Sequence, residues 1–167
     1  ISIYTYEKLK LSIEAKYNEK SILLLTQTFK HINEKMKTSE NIIRLLAGLE
    51  EIKSPAVNPG IKIKMLTDHM EIFSGIKSLN FAGTDGAFVS NLSSIRPKDY
   101  TPSSEIWYKN ALRNSGIPVW TDPFLDYNDQ HIVFSVSVSV HEKTGKATGV
   151  ICAIFEVSGL SSLLKVN

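Results

Sequence analysis

The sequence predicts an α+β domain in which a long N-terminal helix packs on one face of an antiparallel sheet of about five strands. The first 56 residues contain one proline, Pro55, and one glycine, Gly48, and their apolar residues recur at spacings of three and four, as on one face of a helix. After Gly75 the pattern changes to short alternating segments separated by turns, which is typical of strands. Strands joined by tight turns pair in the antiparallel sense.

The elements follow in order from these patterns. Residues 1–56 form the N-terminal helical segment, in which Ser39 marks either a kink or the cap of a second helix. A loop rich in proline at 54–60 precedes a helix at 61–73, and residues 57–167 form a second unit that joins the helical segment in one domain. Strands are expected at 78–82, 87–92, 119–121, 132–141 and 147–156, with helices at about 101–113 and 158–165.

Composition excludes several classes of protein. The net charge of the 167 residues is +2, and basic residues alternate with acidic ones along the chain, so nucleic acid is not expected as a partner. No run of eighteen apolar residues occurs, so the chain itself is not expected to cross a membrane. Cys152 is the only cysteine and lies in an apolar run, which predicts an inert core thiol.

The sequence contains no recognisable arrangement of catalytic residues. The four histidines are scattered without the spacing of metal ligands, and no glycine-rich phosphate loop is present. We therefore expect a binding protein with no enzymatic activity, no metal and no cofactor.

Aromatic residues near 100–108 are the first candidates for a ligand pocket. Trp107 and Tyr108 are neighbours on a helix, about 100° apart, so we expect one ring in the core and the other either capping a pocket or covering the surface. Tyr100 precedes this helix and either packs against its start or contacts the ligand.

Two carboxylates and two rings alternate in the segment 120–126. In an extended chain Trp120, Asp122, Phe124 and Asp126 share one side, which suits a hydrogen-bonding or cationic ligand. The alternative is ordinary turn chemistry around Pro123.

The strand at 132–141 has one valine-rich face and one serine face. We expect the valine face to pack on a helix, and the face with Ser135 and Ser137 to be either solvated or the polar wall of a pocket.

The series Trp107-Tyr108, Pro123-Phe124-Leu125-Asp126 and Gly149-Val150 resembles Cache domains, the extracytoplasmic PAS-like sensors of bacterial and archaeal transmembrane receptors such as methyl-accepting chemotaxis proteins and sensor kinases. The resemblance covers most of the chain and implies a PAS-like sheet. It also implies a small-molecule ligand, a parent protein anchored in the cell membrane, and a signal passed through the C-terminal helix to a membrane span. A homodimer through the N-terminal helix is also expected, because its apolar stripe is longer than a small sheet can cover.

The family's amino-acid-binding pattern is only partly present. Tyr100, Trp107 and Tyr108 match it, and Phe124 replaces a tyrosine. The arginine that would bind a ligand carboxylate is replaced by Glu105, and an aspartate of the final strand by Ile154. This predicts a ligand other than a typical α-amino acid. The alternative functions are a cytosolic PAS-type module that binds haem or flavin, and a structural or dimerisation domain that binds no ligand.

Overall fold

The N-terminal part of the chain is helical, as predicted. The structure is a computed structural model and describes residues 3–73, 75–92 and 100–157. Helix α1 covers Ile3–Gly48, α2 covers Glu50–Lys53, and α3 covers Pro59–His69 and continues into a 3₁₀ turn at Met70–Ile72. The expected alternative of a new helix cap at Ser39 is wrong, and the alternative of a kink stays a prediction. Its hydroxyl donates to the Lys35 carbonyl one turn earlier at 3.1 Å, so the helix continues without a new cap.

Six strands form one antiparallel sheet, which confirms the predicted fold class. They are β1 (Ile76–Gly83), β2 (Phe88–Ser90), β3 (Val119–Trp120), β4 (Phe124–Leu125), β5 (Ile132–His141) and β6 (Ala147–Glu156). The order across the sheet is β2-β1-β6-β5-β3, and β4 pairs with the first two residues of β5. Strand β4 was missed because its two residues lie between Pro123 and Asp126, which indicate a turn. The helix predicted at 158–165 lies outside the described residues.

The valine face of β5 packs under α1, as predicted. Val136, Val138 and Val140 form one core with Ile43 and Leu46 of the helix. The helix covers the sheet only with its C-terminal part. Large apolar side chains nearer its start are therefore exposed. These are Leu9, Leu11, Ile13, Tyr17, Ile22, Leu23, Leu24, Leu25 and Phe29. Dimerisation through this helix stays a prediction. Within the described residues, no helix combines the length and apolar character needed to cross a membrane.

Helix α4 (Ile106–Arg113) covers the other face of the sheet, after a 3₁₀ turn at Pro102–Ser104. The expectation that only one of Trp107 and Tyr108 is buried is wrong, since their exposed fractions are 1% and 6%. Trp107 packs with the sheet residues of this face, while Tyr108 lies beside the 3₁₀ turn and the turn after β1. The sheet therefore buries one side of α4, and the two turns bury the adjacent side.

Substitution of Gly149 tests the close packing of the sheet. A Cβ atom at this position of β6 would lie 2.6 Å from the Ala82 carbonyl oxygen and 2.7 Å from the Phe81 ring. We expect Gly149→Ala to lower the free energy of unfolding by about 1–3 kcal/mol, the usual range for overpacking.

Urea denaturation measures this change, and Gly48→Ala is the matched control. Gly48 ends α1 with open space around it, so alanine there should be neutral or stabilising by up to about 1 kcal/mol. Equal effects of the two substitutions would contradict the packing described for Gly149.

Candidate functional site

A cavity of about 230 Å³ opens on the α4 side of the sheet, between the strands and the segment that follows β4. Asn80 of β1, Ser90 of β2 and Ile154 of β6 line it from the sheet. Its size approaches the lower end of small-molecule sites, about 300 Å³. The cavity therefore suits a small ligand.

Aromatic rings frame this cavity. The Tyr100 ring lies 5.5 Å from that of Phe88 in an edge-to-face arrangement and 5.2 Å from that of Tyr127, measured between centroids. Its hydroxyl is hydrogen-bonded to the Trp107 side chain, and burial raises the pKa of Tyr100 well above its usual range, with a smaller contribution from Glu105. Tyr100 thus acts as a neutral hydroxyl group. Phe124 and Trp107 complete the frame.

Asp126 is the buried carboxylate of the cavity, with 5% of its surface exposed. One oxygen accepts the backbone N–H of Asn128 at 2.8 Å, and the other lies 2.8 Å from Lys77 Nζ. Lys77 also lies 2.7 Å from Asp129 and 3.8 Å from Glu156. Burial lowers the pKa of Lys77, but hydrogen bonds to Asp126 and Asp129 outweigh this and raise it, so the ammonium stays charged.

A second carboxylate, Glu105, lines the cavity and is half-buried at the start of α4. Burial raises its pKa, and repulsion from Asp126 adds to this, whereas Lys109 opposes it. The two carboxylates therefore concentrate negative charge on one cavity.

Lys77 and its three carboxylates, Asp126, Asp129 and Glu156, form an ion-pair cluster. Within the described part of the chain, this cluster is also the one place where potential metal-ligand atoms lie close enough together to bind one ion. Ligand atoms of Asp129, His131 and Glu156 lie within 4.8 Å of one another. The Lys77 ammonium already neutralises two of these groups, so we assign no metal to them.

Of the site residues predicted from the sequence, Tyr100, Trp107, Phe124 and Asp126 line the cavity together. Tyr108 lies outside it, in a smaller depression beside the 3₁₀ turn. Contact of these residues with a ligand remains a prediction.

Trp120 and Asp122 lie elsewhere, so the expected shared side of residues 120–126 is wrong. Trp120 is on the α1 face, where its indole N–H donates to Glu40 at 2.8 Å and its ring lies 5.7 Å from that of Phe155. Asp122 is exposed in the connection between β3 and β4. The alternation fails because 120–126 is two short strands with a break at Pro123 rather than one extended strand.

The serine face of β5 is neither solvated nor a wall of the cavity. Ser137 donates from its hydroxyl to the Trp107 carbonyl at 2.9 Å, and the Ser135 hydroxyl lies 3.3 Å from that of Thr121. Both serines are fully buried. They attach α4 and the residue after β3 to the sheet, and so position the cavity wall indirectly.

Sequence reasoning missed several residues of the site. Ser78 and Asn80 could have been found, because they alternate with Leu79 and Phe81 in β1 just as the serines do in β5. Lys77 gave no signal, because its carboxylate partners Asp126, Asp129 and Glu156 are far away along the chain.

Removal of Lys77 tests the ion-pair cluster. Lys77→Met leaves the buried Asp126 carboxylate without its cation, and breaking such a pair costs about 3–5 kcal/mol. We expect a loss of unfolding free energy in this range, measured by urea denaturation.

Lys64→Met provides the control, since it removes an exposed lysine that pairs with Asp68 within α3. Such surface pairs contribute about 0–1 kcal/mol. A Lys77→Met protein as stable as this control would show that Asp126 does not need its cation.

Comparison with known proteins gives the same fold. The ligand-binding domain of the Pseudomonas aeruginosa chemoreceptor PctC in complex with GABA superposes with a TM-score of 0.74 and 20% identity, over 89% of this chain and 68% of that one. The ligand-binding domain of the Campylobacter jejuni chemoreceptor Tlp3 in complex with L-valine superposes with a TM-score of 0.74 and 18% identity. The match covers 98% of this chain and 68% of that one. The methyl-accepting chemotaxis protein McpA of Bacillus subtilis is 23% identical over 100% of this chain, which spans 25% of McpA.

The Tlp3 domain overturns the prediction of a ligand other than a typical α-amino acid, because it contains L-valine, and the PctC domain contains the γ-amino acid GABA. The prediction depended on two positions, Glu105 and Ile154. The cavity retains the aromatic frame and Asp126, and it adds polar groups from β1 and β2 that the motif does not include.

A family model matches residues 61–162, which include the whole sheet and α4. Its description is the first PDC sensor domain of methyl-accepting chemotaxis protein-like receptors. The match agrees with the fold of the chemoreceptor domains and confirms the resemblance to Cache domains. The chain belongs to this family of chemoreceptor sensor domains.

Proposed function

We propose that the chain is the extracytoplasmic amino-acid-sensing domain of a transmembrane chemotaxis receptor, in which the helical segment 1–56 and the sensor unit 57–167 act as one module. The observation that carries the proposal is the cavity framed by Tyr100, Trp107 and Phe124 with the buried carboxylate of Asp126. The amino-acid complexes of PctC and Tlp3 support the ligand class. The proposed activity is binding rather than catalysis.

Asp126 is the group proposed to bind the ligand's α-ammonium. A charge-assisted hydrogen bond to a buried carboxylate is shorter and stronger than a neutral one. Neutral donors are available for the ligand's carboxylate, because the Asn80 amide and the Ser90 hydroxyl line the same cavity. The aromatic rings would enclose the rest of the ligand and exclude water.

The ion-pair cluster offers a route from the cavity to the end of β6. Lys77 contacts Asp126 on the cavity side and Glu156, the last residue of β6, on the other. A ligand ammonium at Asp126 would weaken the attraction between Asp126 and Lys77, and so favour Lys77 on Asp129 and Glu156. Beyond Glu156 the proposed signal passes through the C-terminal segment to a membrane span.

A thermal-shift survey of the twenty standard amino acids tests the ligand class. A ligand that binds only the folded state adds about 2.7 kcal/mol of stability at a concentration of 100 Kd, so at least one amino acid should raise the melting temperature by several degrees. We expect Asp126→Asn to abolish the shift, because the amide cannot pair with the ammonium. Asp122→Asn is the control, since its carboxylate is exposed outside the cavity. Failure of every amino acid to stabilise the wild-type domain would refute the proposal.

Chemical labelling of the parent receptor in intact cells tests the location. Cys152 is the chain's only cysteine and is fully buried, and burial raises its pKa far above the usual range. Lys143→Cys in the exposed turn between β5 and β6 should react with a membrane-impermeant maleimide added outside, in a receptor without other accessible cysteines. Labelling only after lysis would place the domain inside the cell.

A further inference from the structure

Among the residues that the structure describes, the charges that line the cavity are unbalanced. Glu105 and Asp126 contribute two carboxylates, and none of its described lining residues is a lysine or an arginine. Lys77 reaches Asp126 but is shared with Asp129 and Glu156, so it does not neutralise the cavity on its own.

Glu105 is the carboxylate of the cavity that no described cation neutralises. Among the residues that the structure describes, none forms a hydrogen bond or a close ion pair with its carboxylate. Lys109, a cation of the described chain that acts on it, is exposed and donates to the Ser104 carbonyl at 2.6 Å. A half-buried carboxylate that no described residue pairs with is unfavourable, and its raised pKa reflects burial and the nearby Asp126.

The aromatic frame suits a cation as well. Phe88, Tyr100 and Tyr127 lie edge-to-face or tilted against one another around the same cavity. The faces of such rings attract ammonium and guanidinium groups, most strongly where water is excluded.

A neutral amino acid would satisfy only half of this site. Its α-ammonium can pair with Asp126, but its own carboxylate then enters a cavity that still holds Glu105, which pairs with none of the described residues. A second cationic group on the ligand would pair with Glu105 and remove this repulsion.

On the basis of the proposed function, we propose that the ligand is an amino acid with a cationic side chain, whose α-ammonium pairs with Asp126 and whose side-chain cation pairs with Glu105. The class comprises lysine, ornithine and arginine. Glu105 is then the residue that determines specificity, and Asp126 the residue that binds the group common to all amino acids.

Titration calorimetry of the 167-residue chain with matched ligand pairs tests this. L-Arginine and L-citrulline have nearly the same shape but differ in charge, and so do L-lysine and L-norleucine. We expect the cationic member of at least one pair to bind at least tenfold more tightly. Glu105→Gln should remove this preference by weakening the binding of the cationic member. It should not weaken the binding of the neutral member, because it also removes the repulsion between Glu105 and the ligand's carboxylate. Asp122→Asn should leave both affinities unchanged.

The outcomes separate the two proposals. Binding of neutral amino acids with no preference for the cationic member, or a preference that survives in Glu105→Gln, would overturn the assignment of Glu105 and leave amino-acid sensing intact. Absence of binding by any amino acid would overturn both proposals. The comparison of ligands in the wild-type chain decides the ligand class even if a variant fails to fold.

Discussion

The pairing of β5 with β6 determines the arrangement of the rest of the domain. Nine residue pairs join these strands, and their register places Val136, Val138 and Val140 of β5 on the α1 face and its serines on the α4 face. Because side chains alternate along a strand, a shift by one residue would exchange the two faces. The apolar core under α1 and the polar attachment of α4 therefore follow from one register. The position of the cavity follows as well, because α4 and its preceding turn supply Glu105 and Trp107.

Polar groups on the α4 side stabilise the structure and also position the site. The buried serines bind backbone and hydroxyl groups, and the charged groups among the described lining residues of the cavity are Asp126 and Glu105. Lys77 stabilises Asp126 from outside the cavity and connects it to the end of β6. A ligand ammonium and Lys77 would thus act on the same carboxylate. Ligand affinity, local stability and the position of β6 are coupled through this carboxylate in the proposed function.

The sequence predicted the features that depend on short-range periodicity. The long helix, the β5–β6 hairpin and the packing of the valine face were all expected and are confirmed, because each follows from alternation or from spacings of three and four. Predictions of where elements begin and end were wrong at two places. Ser39 does not end a helix, and Trp120 and Phe124 do not share a side, since Pro123 separates two short strands. The contacts of Lys77 join residues distant in the chain, so no local pattern could have predicted them.

The account depends most directly on where a bound amino acid places its α-ammonium. A crystal structure of the chain with a stabilising amino acid would show this. The account predicts that the ligand lies in the cavity framed by Tyr100, Trp107 and Phe124, with its ammonium about 3 Å from an oxygen of Asp126. A ligand bound at another place on the domain, or one whose ammonium has no contact with Asp126, would contradict it.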